Sequence, residues 1–116
     1  ELDNLTVIVD HNKLQAMDDL ENIVRMKPFS DKWKAFGWSV VEIDGHNYGE
    51  IKKSFFFLLV GKPTLVIAHT NKGKGVSFME NVPIWHYRMP SDEELTVLLK
   101  DLEFTKDEQR ELLGNK

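Results

Sequence analysis

Thr64-Leu65-Val66-Ile67-Ala68 is an unbroken apolar run held between Pro63 and His69. A run without polar alternation suits a strand covered on both faces, as in a parallel sheet. Two further runs have the same form: Leu5-Thr6-Val7-Ile8-Val9 ends at Asp10, and Val40-Val41-Glu42-Ile43 ends at Asp44. Helix signals lie between them. Ser30 is placed to cap a helix over residues 31–36, with Gly37 as its terminator. Asn47 with Glu50 resembles a capping box, opening a helix through Ile51, Phe55, Leu58 and Leu59 that Gly61 and Pro63 stop. Residues 70–90 hold Gly and Pro breaks without a period and read as a long ordered loop. Ser91 with Glu94, and Thr105 with Glu108, predict two closing helices.

Strand–helix–strand–helix–strand order gives an α/β fold, a parallel sheet with flanking helices and right-handed crossovers. At 116 residues the chain has room for one compact domain and not for two. Three strands make a thin sheet. Phe55, Phe56 and Phe57, with Trp33, Phe36 and Trp38, exceed what one small core uses. The expectation is therefore a fragment, or a domain normally covered by a partner.

Composition narrows the function. A net charge of −4 argues against general affinity for nucleic acid or an anionic membrane, since both need a basic excess. The longest apolar run, Phe55 to Val60, is far too short to span a bilayer, and no signal peptide is visible. A cytoplasmic protein is the default expectation. With no cysteine, disulfides and thiolate metal sites are excluded. The four histidines lack the short spacing of a zinc site.

Open α/β sheets bind ligands beyond the carboxyl ends of their strands. Three polar clusters fall there: Asp10-His11-Asn12, Asp44-Gly45-His46-Asn47, and residues 69–75, His-Thr-Asn-Lys-Gly-Lys-Gly. In the last, glycine backbone and lysine ammonium suit phosphate oxygens, with a solvated turn as the alternative. Asp10-His11-Asn12 offers hard oxygens to Mg²⁺, or else a strand-end turn that caps local backbone. Trp85-His86 places an acid/base or phosphate-binding imidazole beside an aromatic ring. His46 is expected to be a turn residue, and His11 to face solvent or a partner.

Taken in order, these pieces resemble the transketolase family. Residues 2–15, ending Asp10-His11-Asn12-Lys13-Leu14-Gln15, resemble the end of its thiamine-diphosphate motif. Residues 32–38 followed by Glu42-Ile43-Asp44-Gly45-His46 resemble its next block, and residues 63–81 with Trp85-His86 the one after. The resemblance implies a partial thiamine-diphosphate-binding fold, with residues 1–90 as a core portion of the cofactor domain and 91–116 as a helical carboxyl-terminal extension. It implies Mg²⁺ held by the Asn12 side chain and the Leu14 carbonyl. Lys72 and His86 would contact the cofactor diphosphate, with His86 also near the substrate as a catalytic residue. The implied reaction moves a two-carbon ketol unit between sugar phosphates, in a homo- or hetero-oligomer, a dimer at least.

Two elements of the family pattern are missing from this sequence. No Gly-Asp-Gly is present, so the metal shell lacks its aspartate. The pyrimidine-binding domain or subunit, which supplies the activating glutamate, is a required partner. The chain alone is therefore expected to be inactive. Where most relatives carry glycine after Trp-His, this sequence has Tyr87-Arg88; Tyr87 would alter sugar selectivity and Arg88 would meet a sugar phosphate. The alternatives are a deoxyxylulose-phosphate synthase, a ketoacid dehydrogenase component, or a degenerate, non-catalytic interaction module.

Overall fold

The computed structural model describes residues 2–56 and 61–114. The chain divides into two compact units, one of residues 1–13 and 19–70, the other of residues 14–18 and 71–116.

The first unit holds the sheet. Strands β1 (Thr6–His11), β2 (Ser39–Asp44) and β3 (Thr64–His69) are all parallel, in the order β1-β3-β2. The position of β3 between its neighbours explains its burial. Leu65, Val66 and Ile67 are essentially inaccessible, and Thr64 and Ala68 are buried with them. The expectation of strands covered on both faces holds for β3 only. The flanking strands are half-buried, and Ile8 in β1 is 55% exposed. Register places Val41 beside Val66 and Ile43 beside Ala68 on one face. There Ile51, from the helix that follows β2, closes the main apolar cluster. Each fully buried aliphatic side chain of this kind contributes roughly 1.5–3 kcal/mol.

Helix α1 (Leu20–Ile23) is a single turn that the sequence does not announce; its N-cap Asp19 makes no side-chain capping bond. Helix α2 spans Phe29–Ala35 and starts earlier than Ser30 predicts, with Pro28 as N-cap. Pro28 lacks an N–H to leave unsatisfied, and its carbonyl already accepts from Lys32. Ser30 therefore lies inside the helix rather than capping it, and its hydroxyl supports the Glu42 carboxylate. Gly37 ends the helix at φ +86, as expected. Trp33 packs edge-on against Trp38 at 4.9 Å and Phe29 at 6.2 Å, which absorbs part of the aromatic surplus; Phe36 and Phe56 stay exposed.

Helix α3 (Tyr48–Ser54) is capped by Asn47, whose side chain accepts from the Gly49 and Glu50 N–H groups. The reciprocal half of the box is absent. Glu50 accepts instead from the Asp44 N–H at 2.8 Å, while the Asn47 N–H donates to the Asp44 carbonyl. Phe55 lies just beyond the helix as its C-cap residue, and Leu58 and Leu59 lie outside the described residues.

The second unit holds helices α4 (Asp92–Asp101) and α5 (Lys106–Leu113) and the segment following β3. Both predicted capping boxes are complete, Ser91 with Glu94 and Thr105 with Glu108. The segment is a chain of turns ending in a 3-10 turn at Pro83–His86. Asp101 ties it to α4, accepting from the Ser77 N–H at 2.8 Å and hydroxyl at 2.6 Å.

Candidate functional site

The three strands end level. His11 is the register partner of His69, and His69 that of Asp44, so the polar strand ends of the first unit share one edge of the sheet. Asp10 accepts a hydrogen bond from the Thr70 hydroxyl, joining the ends of β1 and β3. Asp44 accepts from the His46 N–H at 2.9 Å, so His46 is the turn residue its sequence context suggests.

His11 departs from expectation. It stacks on Phe29 with ring centres 5.7 Å apart and nearly parallel planes, and its Nδ1 lies 3.3 Å from Nδ1 of His69. His69 Nε2 in turn lies 2.8 Å from the Glu42 carboxylate. The carboxylate can only accept, so His69 donates to it through Nε2–H. Partial burial, together with His69 and Lys13, pushes the His11 pKa below its ordinary value. The hydrogen bond from His69 holds the Glu42 carboxyl below the usual glutamate range. These groups border a cleft of about 340 Å³, lined also by Phe29, Lys34 and Ile67. Sequence reasoning missed this relay because the pairing depends on the register of strands 58 residues apart.

The residues that the resemblance singles out divide between the units. Asn12 follows β1 directly in the first unit; Leu14, Lys72 and His86 belong to the second. Asn12 and Leu14 are half-buried, and each is engaged within the fold. Among the described residues, no group of three or more His, Cys, Asp or Glu side chains is placed to hold a metal ion.

The Lys-Gly-Lys-Gly element is more constrained than a solvated turn. Gly73 has φ +73, and a Cβ there would fall 2.5 Å from the Met79 carbonyl oxygen and 2.6 Å from its carbon. Its missing side chain thus lets the chain fold back on itself. The Gly75 N–H donates to Glu80 at 3.0 Å, and Lys74 pairs with the same carboxylate at 3.8 Å. Lys72 differs: among the described residues no hydrogen bond or ion pair engages its ammonium.

His86 ends the 3-10 turn and is exposed. Its Nδ1 lies 3.1 Å from the Pro83 carbonyl, which can only accept, so Nδ1 carries a proton and Nε2 is left without a partner among the described residues. Trp85 beside it donates to the Phe78 carbonyl at 3.1 Å and packs against the Phe78 ring. Arg88, expected to meet a sugar phosphate, is taken up internally: Nη2 bonds both Glu94 oxygens at 2.7 and 2.8 Å, and the guanidinium lies 4.4 Å from the Trp85 ring centre. A cleft of the second unit, about 410 Å³ along α4 and α5, holds none of these residues.

The family model described as "Transketolase, thiamine diphosphate binding domain" matches residues 1–112. An apulose-4-phosphate transketolase subunit from Phocaeicola vulgatus is 38% identical over 104 residues, covering 88% of this chain and 37% of its own. A 6-deoxy-6-sulfo-D-fructose transketolase subunit from a Clostridium species is also 38% identical over 104 residues, covering 88% of this chain and 38% of its own. The chain thus spans less than two fifths of these curated relatives. The crystal structure of Campylobacter jejuni transketolase superposes with a TM-score of 0.72 at 26% identity, over 89% of this chain and 16% of that one. This chain belongs to the transketolase family, within its thiamine diphosphate binding domain.

Proposed function

We propose that this member of the transketolase family is part of an enzyme that transfers a two-carbon ketol unit between sugar phosphates, with thiamine diphosphate and Mg²⁺ as cofactors. The observation that carries the proposal is the family match across residues 1–112, combined with the Lys72 ammonium and the His86 Nε2, which no contact among the described residues engages. When bound, the cofactor supplies the carbon nucleophile and electron sink that the cleavage of a ketose needs.

The residues present suit that group. The Asn12 amide oxygen and the Leu14 carbonyl are hard donors of the kind Mg²⁺ takes, and Mg²⁺ characteristically shares such ligands with phosphate oxygens. The Lys72 ammonium, with no partner among the described residues, is available to a diphosphate. His86 reaches the diphosphate through Nε2, since Pro83 holds Nδ1–H. At the substrate it holds or returns a proton as charge develops on oxygen. The division into a cofactor-domain core at residues 1–90 and a helical extension at 91–116 is part of the same reading.

The chain holds no Gly-Asp-Gly, so a third protein ligand for the metal must come from elsewhere in the enzyme. Two relatives are named as subunits, which supports a partner subunit carrying the pyrimidine-binding domain, and hence a dimer or larger oligomer. Those names also refer to different sugars, so the reading stops at the class of sugar phosphates. No helix among the described residues is long and apolar enough to cross a membrane, in keeping with a cytoplasmic enzyme.

The test is a ketol-transfer assay on the intact enzyme that carries this chain, with its partner, thiamine diphosphate and Mg²⁺. His86→Ala is expected to lower kcat by about 100-fold, the size of a lost acid/base or charge-stabilising group. Full activity in His86→Ala would overturn the assignment.

A further inference from the structure

We infer that Arg88 and Glu94 are positioning residues for His86, acting through the Trp85 ring. The inference rests on the role proposed above for His86 but is argued from a separate set of contacts.

His86 sits at the end of a 3-10 turn only four residues long, Pro83–His86, which has little stability of its own. Its register depends on what holds the Trp85 side chain. One edge of the indole is fixed by the hydrogen bond from its N–H to the Phe78 carbonyl at 3.1 Å, and the Phe78 ring lies edge-on at 5.3 Å. A face is covered by the Arg88 guanidinium at 4.4 Å, a cation–π distance. Arg88 is itself held, because Nη2 donates to both oxygens of Glu94. Glu94 is fixed in turn as the third residue of the α4 capping box, where it accepts from the Ser91 N–H at 2.8 Å. The Glu94 carboxyl is held below the usual glutamate range, chiefly by Arg88, so the pair stays ionised at neutral pH.

The contacts run in one line from the start of α4 through Glu94 and Arg88 to Trp85, the residue beside His86. Arg88 also donates its backbone N–H to the Ile84 carbonyl, so it is pinned at both ends. Such a clamp selects the turn in which Pro83 holds His86 Nδ1–H and Nε2 is presented. Arginine is required because a lysine keeps the charge but offers neither a planar face to the indole nor a fork to the carboxylate.

The test uses the intact enzyme with its cofactors and partner. Arg88→Ala is expected to lower kcat about tenfold, since small misplacements of a catalytic group cost rates of this order or more. Arg88→Lys should fall between the two, and the double variant Arg88→Ala/Glu94→Gln should lose no more than Arg88→Ala alone. The independent readout is the pair of imidazole ¹⁵N signals of His86. These should show one neutral tautomer in the wild type and an average of two in Arg88→Ala. Retention of the single tautomer with unchanged kcat in Arg88→Ala would overturn the clamp, whatever happens to the melting temperature. If Arg88→Ala fails to fold, the same two readouts on Arg88→Lys decide the question. Loss of the single tautomer while His86→Ala stays fully active would support the clamp and refute the role of His86 in the reaction.

Discussion

Gly73→Ala tests whether the segment carrying Lys72 is built as described. Gly73 sits at φ +73, where an L-residue costs roughly 1–2 kcal/mol. Its new Cβ would also lie 2.5 Å from the Met79 carbonyl oxygen and 2.6 Å from its carbon, both backbone atoms that cannot swing aside. Overpacking of that kind adds about 1–3 kcal/mol, for a total of about 2–5 kcal/mol. Gly37→Ala provides the control. Gly37 has φ +86 but nothing within 4 Å of its Cβ position, so only the conformational cost of about 1–2 kcal/mol applies. Both alanines also stiffen the unfolded chain by a similar amount, which cancels in the comparison. Urea unfolding of the two variants, followed by tryptophan fluorescence, gives the difference directly. Equal losses, or a Gly73→Ala protein as stable as the wild type, would refute the account of the turn.

Three further outcomes follow from the same structure. Leu65→Ala, at a fully buried position in the central strand, should cost about 2–5 kcal/mol by chemical denaturation, while Ile8→Ala at a 55% exposed position of β1 should cost far less. Ser91→Ala and Thr105→Ala each remove a helix cap and should cost about 1 kcal/mol, read from the helical circular dichroism signal on heating. Glu42→Gln concerns a half-exposed carboxyl with a depressed pKa, so the stabilisation is present above the ordinary glutamate value and is lost as pH falls through the folded one. The wild type should exceed the variant by no more than about 1 kcal/mol near neutrality, and the gap should close in acid; a gap that widens in acid would contradict the sign.

The strands were legible because β-branched runs bounded by proline, aspartate or histidine leave few alternatives. The capping boxes at Ser91 and Thr105 were legible for a different reason, since each involves residues only three apart in one chain segment. Legibility failed where the fold supplies a partner that no spacing rule announces. Ser30 looks like a cap until Pro28 is seen to occupy that position. Glu50 looks like the cap of the Asn47 backbone N–H until the end of β2 brings the Asp44 N–H within 2.8 Å of its carboxylate. His11 looked like a solvent or partner contact, whereas register sets it against His69 and stacking sets it on Phe29. Gly73 and Gly75 suggested a phosphate cradle, but the space at Gly73 is taken by Met79 and the Gly75 N–H by Glu80. Arg88 suggested a ligand contact, and nothing local in Tyr87-Arg88-Met89 signals the carboxylate six residues on. For the candidate site, sequence blocks indicated the residues, and the folded chain adds which of their atoms remain available.

The most direct test of the proposed cofactor role is a calorimetric titration of thiamine diphosphate in the presence of Mg²⁺. It is made on the intact enzyme that carries this chain, in wild-type, Lys72→Ala and Asn12→Ala forms, and on the chain alone. A lost charge-assisted contact to phosphate is worth about 1.5–3 kcal/mol, so Lys72→Ala should bind at least about tenfold more weakly. Asn12→Ala should weaken binding and flatten its dependence on Mg²⁺, and the chain alone should bind undetectably or very weakly. Wild-type affinity in Lys72→Ala and Asn12→Ala, or tight Mg²⁺-dependent binding by the chain alone, would contradict the account.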